Sequence, residues 1–112
     1  MRDDVVRAVE SYLHALELGD LSTVPLHPDV EWQGPLGQSI KGANILRATL
    51  AVLARTVTRV TIIRHIVDQE WCATMFELRT AQGAITVVDC FRVVDGQIRS
   101  IRVFLDRQAV LT

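Results

Sequence analysis

The stretch CFRVVDGQIRSIRVFLD, residues 90–106, decides the fold class of this chain. It contains two runs rich in β-branched and aromatic residues on either side of Asp95-Gly96. An Asp-Gly pair between such runs is a strong hairpin signal, because glycine accepts the positive φ that these tight turns require. Similar runs precede it, so the second half of the chain predicts four strands, at residues 56–67, 71–80, 84–94 and 98–106.

Asp89 is the unusual residue of this region, because it stands in a strand among Val87, Val88, Cys90 and Phe91. An ionised carboxylate is expensive to bury, so an acid in such a place must be paired, hydrogen-bonded or protonated. Asp89 is therefore the first candidate for chemistry.

The first half of the chain predicts helices. Apolar residues recur at helical spacing over residues 3–18, Gly19 is suited to end that helix, and a second helix is predicted over residues 43–54. Between them lie at most a short helix near residues 20–24 and a short strand at residues 30–33. Helices followed by an antiparallel meander indicate an α+β fold, and residues 1–112 are expected to form one domain.

Composition excludes several classes of function. The net charge is −1, which argues against a nucleic-acid partner, and 49% of the residues are hydrophobic, enough for a real core. No apolar run is long enough to cross a membrane, and the N-terminus predicts a helix rather than a secretory leader. Two cysteines form no disulfide framework or metal quartet. We therefore expect a cytoplasmic protein with no metal and no cofactor.

Short links between strands predict which side chains share a face. We expect Asp89 to lie opposite Phe76 and beside Ile101. The predicted inner face comprises Thr74, Phe76, Leu78, Val87, Asp89, Phe91, Ile101, Val103 and Leu105. The predicted outer face comprises Trp71, Met75, Glu77, Val88, Cys90, Arg92, Arg102 and Phe104, a composition suited to an oligomer interface. Cys72 and Cys90 fall on opposite faces, which argues against a disulfide between them.

Four segments carry a resemblance to a known superfamily: LELGDL at 16–21, HPDVEWQGPLG at 27–37, KGANILRATL at 41–50 and FRVVDGQIRSIRVFLD at 91–106. With them the chain resembles the NTF2-like superfamily, particularly its SnoaL-like polyketide cyclase and ketosteroid isomerase branches. The resemblance implies a cone, in which a curved antiparallel sheet packs against N-terminal helices around an apolar pocket. It also implies a homodimer formed through the outer sheet face. The superfamily hosts many unrelated functions.

The resemblance to ketosteroid isomerase also implies roles for three positions. Tyr12 and Asp89 match its two oxyanion donors, the second being an acid that its apolar site keeps neutral; that role is carried over from the enzyme. The position of its general base is Gly34, which cannot move a proton. The sequence leaves open whether His27, His65 or Glu31 replaces this general base, or whether the protein has no base.

The remaining predicted ligand contacts come from the helix, the first strand and the inner face. They are Leu16, Trp32, Gly34, Thr74, Phe76, Val87, Phe91, Ile101, Val103 and Leu105. The alternative is a structural role, in which Tyr12 and Asp89 form a hydrogen bond with each other and connect the first helix to the sheet. In this alternative, Trp32 only fills one end of the cone.

The sequence therefore leaves three functions open. The first is a small protein that binds an apolar ketone, phenol or polycyclic molecule, as a cofactor-free isomerase or cyclase. The second is a non-catalytic ligand-binding or dimeric interaction module. The third is a hydrolase similar to limonene epoxide hydrolase, which needs an acid–arginine–acid set; its last-strand acid would fall near Val103.

Overall fold

A computed structural model describes residues 2–105 of the chain. Its elements are α1 (Arg2–Leu18), β1 (Leu26–Gln33), β2 (Ser39–Lys41), α2 (Ala43–Ala54), β3 (Arg59–Asp68), β4 (Trp71–Thr80), β5 (Gly83–Val94) and β6 (Gln97–Leu105). Both long helices and the four-stranded meander lie close to their predicted bounds. The predicted end of the last strand at Asp106 lies outside the described residues.

The six strands form one sheet in the order β2-β1-β6-β5-β4-β3. Strands β3 to β6 form the antiparallel meander that the sequence predicts. The antiparallel pairing that the resemblance implies does not extend to β1 and β6, which run parallel, so the sheet is mixed. This mixed pairing arises because α2 carries the chain across to the far edge of the sheet, and the meander then returns to β1. Bulges in β3 and β6 help to curve the sheet.

The Asp95-Gly96 turn forms at the predicted place, with two residues rather than the three that the predicted pairing of Asp89 with Ile101 needs. Both residues have positive φ, 52° and 76°, and they join Val94 directly to Gln97. This conformation matches the right-handed twist of the flanking strands.

The cross-strand neighbours of Asp89 differ from the predicted ones. Asp89 lies opposite Thr74 of β4 and Val103 of β6, rather than Phe76 and Ile101. The β4–β5 turn begins one residue earlier than predicted, and β6 has a bulge at Arg99 after the two-residue Asp95-Gly96 turn. In both strand pairs the register differs from the predicted one by two residues in all, so these side chains keep their predicted face.

Helix α1 packs one apolar stripe against the concave face of the sheet. Its buried residues are Val5, Ala8, Val9, Tyr12, Leu13, Ala15 and Leu16. Gly19, with φ of 81°, donates its N–H to the carbonyl of Ala15 at 2.8 Å and ends the helix. The short helix considered after Gly19 does not form, because the Asp20 carboxylate accepts hydrogen bonds from the N–H and O–H of Ser22 and fixes a turn.

Within residues 2–105, neither helix is both long enough and apolar enough to span a bilayer.

Candidate ligand-binding cavity

An apolar cavity of about 250 Å³ lies between the two helices and the concave face of the sheet. Eight of the residues with predicted site roles line it: Tyr12, Leu16, Trp32, Phe76, Val87, Asp89, Val103 and Leu105. They come from α1, β1 and the three strands β4 to β6. The cavity is therefore built where the helices leave the inner face of the sheet uncovered.

Four of the predicted ligand contacts do not line this cavity. Phe91 and Ile101 are buried in the core, because they pair with each other across β5 and β6 beneath α1. Thr74 is also fully buried, and its hydroxyl bonds away from the cavity to His65. Gly34 lies behind the ring of Trp32. These four residues therefore lie outside the lining of the cavity.

Five further lining residues had no predicted ligand role: Pro35, Leu50, Leu53, Leu78 and Ile85. Leu78 already belongs to the predicted inner face, and the same alternation could have found Ile85, which lies directly opposite it. Leu50 and Leu53 lie on α2, whose distance from the sheet no local pattern reveals.

Asp89 is the acid of this cavity. Its side chain is 2% exposed, and Oδ1 is buried without a hydrogen-bond partner. Burial raises the pKa of Asp89 to about 8, because no charge compensates the loss of hydration. At pH 7 the carboxyl is therefore mainly protonated and neutral, able to donate one hydrogen bond and accept another.

Tyr12 faces the cavity from α1. Its ring packs edge-on against Phe91, with centroids 5.2 Å apart and an angle of 70° between the planes. Burial raises the pKa of the Tyr12 hydroxyl well above its usual value, and the nearby Asp89 carboxyl raises it further. The indole of Trp32 opposes this rise, but it does not reach hydrogen-bond geometry, so Trp32 Nε1 stays without a partner. Tyr12 therefore remains a hydroxyl donor at any ordinary pH.

The ring of Trp32 covers Gly34, the position that corresponds to the general base of ketosteroid isomerase. A Cβ built on Gly34 would lie 2.8 and 2.9 Å from Cη2 and Cζ3 of the indole, and 2.5 Å from Oε1 of Gln38. Real Cβ atoms do not approach other atoms so closely, so the ring of Trp32 rests on the bare backbone of Gly34. An aspartate at position 34 would displace this ring.

His65 lies outside the cavity, on the inner side of β3. Its Nδ1 is 2.7 Å from Oγ1 of Thr74, and its Nε2 is 3.1 Å from Oε2 of Glu10 on α1. The Thr74 hydroxyl also contacts Sγ of Cys72 at 3.3 Å. This chain of contacts satisfies a buried hydroxyl and connects α1 to the sheet, but it brings no base to Asp89.

The other two substitutes for the base are also remote. His27 belongs to β1 rather than to a loop, and its Nδ1 accepts the backbone N–H of Asp29 at 3.0 Å. Glu31 is exposed and lies 3.9 Å from the ammonium of Lys41. Neither residue lines the cavity.

Within residues 2–105, no three histidine, cysteine or acidic side chains come together as metal ligands. Cys72 is buried and Cys90 is half-buried, and both are free thiols on opposite faces of the sheet, as their alternation predicts.

Comparison with known families assigns the chain to one of them. The model of the DUF4904 family, described as a domain of unknown function, matches residues 1–112. The chain belongs to the DUF4904 family. No curated protein matches the sequence of this DUF4904 chain.

Solved structures show that this DUF4904 domain has the fold of the NTF2-like superfamily. A putative SnoaL-like polyketide cyclase from Jannaschia sp. CCS1 is 20% identical, with a TM-score of 0.84 over 98% of this chain and 90% of its own. An NTF2-like protein of unknown function from Cytophaga hutchinsonii is 14% identical, with a TM-score of 0.82 over 96% and 95%. An LEH-like epoxide hydrolase from M. tuberculosis is 26% identical, with a TM-score of 0.80 over 95% and 85%.

Proposed function

We propose that the cavity binds a small apolar molecule with one polar oxygen, a carbonyl or a phenol, which Tyr12 and Asp89 hold. The observation that carries this proposal is the Oδ1 atom of Asp89, which is buried without a partner in an otherwise apolar cavity. An unsatisfied buried polar atom costs about 1–3 kcal/mol. A ligand oxygen would satisfy it, whereas the alternative of mutual satisfaction by Tyr12 leaves Oδ1 unpaired.

The size of the cavity restricts the ligand. Its volume of about 250 Å³ lies just below the range of roughly 300–1,000 Å³ typical of ligand pockets. We therefore infer a ligand of one or two rings, rather than the larger polycyclic molecules that the resemblance to ketosteroid isomerase suggests.

If the ligand reacts, the cavity favours enolisation, isomerisation or cyclisation without a cofactor. Two donors aimed at one oxygen stabilise the negative charge that develops on it, and one such donor contributes roughly 3–4 kcal/mol in known enzymes. The proton would pass to a water or to a group of the substrate, because the histidines lie outside the cavity. The ring of Trp32 over Gly34 favours the second candidate function, non-catalytic binding of the same kind of ligand.

An epoxide hydrolase is the weaker third candidate. The similarity to the M. tuberculosis hydrolase supports this function. However, the described residues that line the cavity include no arginine and no acid besides Asp89. The last-strand acid of that set is expected near Val103, which lies directly opposite Asp89. The acid–arginine–acid set is therefore incomplete.

A fluorescence titration with 2-naphthol tests the proposed function. We expect micromolar binding at pH 7 by the wild type, about tenfold weaker in Tyr12→Phe and in Asp89→Asn, because each removes or weakens one hydrogen bond to the phenol oxygen. Glu31→Gln, which changes an exposed acid outside the cavity, is the control and should bind like the wild type. Absence of binding, or binding that ignores both cavity variants, would refute the proposal.

We also propose that the outer face of the sheet contacts a second copy of the chain. This face exposes Trp71, Met75 and Phe104, which are 47%, 41% and 47% accessible. Arg92 lies over the ring of Trp71 at 5.9 Å, and Arg102 lies over Phe104 at 5.1 Å. Aromatic residues and arginine with few other charges are typical of interface cores.

Light scattering tests this self-association. We expect a dimer for the wild type and a monomer for the double variant Trp71→Ser with Phe104→Ser, because the two changes remove the large apolar contacts of the face. Ile45→Ser and Val52→Ser on the exposed side of α2 form the matched control and should stay dimeric. A monomeric wild type at high concentration would contradict the proposal. The cytoplasmic location stays a prediction from the sequence.

A further inference from the structure

We propose that the indole N–H of Trp32 is a third contact to the ligand oxygen, and that this oxygen must therefore be a hydrogen-bond acceptor. The inference rests on the proposed function and specifies the class of ligand. It assigns to Trp32 a polar role in addition to that of an apolar wall.

The first support is the distribution of unsatisfied polar atoms. Among the described residues, the buried side-chain nitrogen and oxygen atoms without a partner are Trp32 Nε1 and Asp89 Oδ1. The two residues come from strands at different positions in the sheet, yet both line the same cavity. Native proteins leave few such atoms, and each one needs a physical explanation. One ligand that enters the cavity would satisfy both.

The second support is the fixed position of the indole. Trp32 lies in the middle of three strands, paired with Ile40 of β2 and Ile101 of β6. The far edge of its six-membered ring rests on Gly34, where any Cβ would collide with it. This packing holds the N–H edge near the Tyr12 hydroxyl, whose pKa it lowers in part. The donor is therefore pre-positioned beside the other polar groups of the cavity.

The chemistry of the three groups then defines the ligand. An indole N–H donates and cannot accept, and the Tyr12 hydroxyl and the protonated Asp89 carboxyl each have one proton to donate. Three donors converge on an acceptor with accessible lone pairs, such as a ketone oxygen or a phenolate. A hydrocarbon of the same shape would leave the donors unpaired. The inferred ligand is therefore a one- or two-ring ketone or phenol.

Nuclear magnetic resonance of the tryptophan side chains tests this contact directly. The chain has two tryptophans, so a 15N-labelled sample gives two indole N–H signals, and exposed Trp71 on the outer face is an internal control. We expect 1-indanone, a two-ring ketone, to move the Trp32 proton signal downfield and to leave that of Trp71 in place. Indane, which has the same rings without the oxygen, should not produce the downfield shift.

Affinity measurements on variants complete the test. Trp32→Phe should bind 1-indanone about five- to tenfold more weakly than the wild type, the effect of one lost hydrogen bond, while Trp71→Phe should bind it normally. The shift experiment uses the wild-type protein, so it decides the question even if Trp32→Phe folds poorly.

The outcomes separate this inference from the proposed function. If 1-indanone binding depends on Tyr12 and Asp89 but the Trp32 signal does not move, the third contact is wrong and the proposed function stands. If the protein binds 2-naphthol but not 1-indanone, and 2-naphthol also leaves the Trp32 signal in place, the third contact is wrong. If neither probe binds, the proposed function fails, and this inference fails with it.

Discussion

Replacing Asp89 with asparagine is expected to stabilise the folded protein at pH 8 by an amount on the order of 5 kcal/mol, and to change its stability little at pH 4. The reason is the raised pKa of the buried carboxyl, about 8 in the folded chain against about 3.9 for an unfolded aspartate. Below both values the carboxyl is protonated in both states, so it imposes no penalty. Asparagine, which is neutral and of similar shape, never acquires one.

Between these two pKa values the unfolded chain loses the Asp89 proton while the folded chain keeps it. The stability of the wild type therefore falls by about 1.4 kcal/mol for each pH unit from near pH 4 to near pH 8, relative to the variant. Urea denaturation of both proteins across this range measures the difference. Glu77→Gln is the control, because Glu77 is about half exposed and pairs with Arg79 on the surface. Parallel pH profiles for the wild type and Asp89→Asn would contradict the expected ionisation.

The second large effect is expected from Phe91→Ala, which should lower the free energy of unfolding by about 3–5 kcal/mol. Phe91 is fully buried, and its ring supports the ring of Tyr12. Truncation leaves a void beneath α1 and frees the tyrosine from its fixed orientation. We expect 2-naphthol to bind more weakly to this variant, although Phe91 does not line the cavity.

Phe104→Ala is the matched control for that experiment. Phe104 lies on the outer face of the neighbouring strand and is 47% exposed, so the same truncation removes little buried surface. Denaturation at a low protein concentration keeps any self-association from contributing. Equal losses of stability in the two variants would show that the assignment of inner and outer faces is wrong.

The fold could be predicted from sequence because its signals are local. Asp95-Gly96 determines a hairpin, β-branched runs form the strands around it, and Gly19 ends α1. Faces were also predictable, since an error of two residues in register leaves each side chain on the same side of the sheet. The parallel pairing of β1 with β6 was not predictable in this way, because it depends on where α2 carries the chain.

The candidate site was only partly predictable, for a different reason. Asp89 could be found because an acid in an apolar strand conflicts with its surroundings. Two residues of α2 line the cavity and Thr74 does not, and both facts depend on how helices and strands pack in three dimensions. The placement of the Trp32 ring over Gly34 depends on the local conformation of one side chain. A one-dimensional pattern contains no information about these arrangements.

The central claim is that the cavity presents a neutral carboxylic acid to its ligand. Its most direct test is a 13C titration of aspartate side-chain carboxyl signals, with Asp89 assigned by its absence from the spectrum of Asp89→Asn. We expect the Asp89 signal to keep the chemical shift of a protonated acid at pH 7 and to titrate with a midpoint of about 8. A carboxylate shift at pH 7, with a midpoint near the ordinary value of about 3.9, would contradict the account.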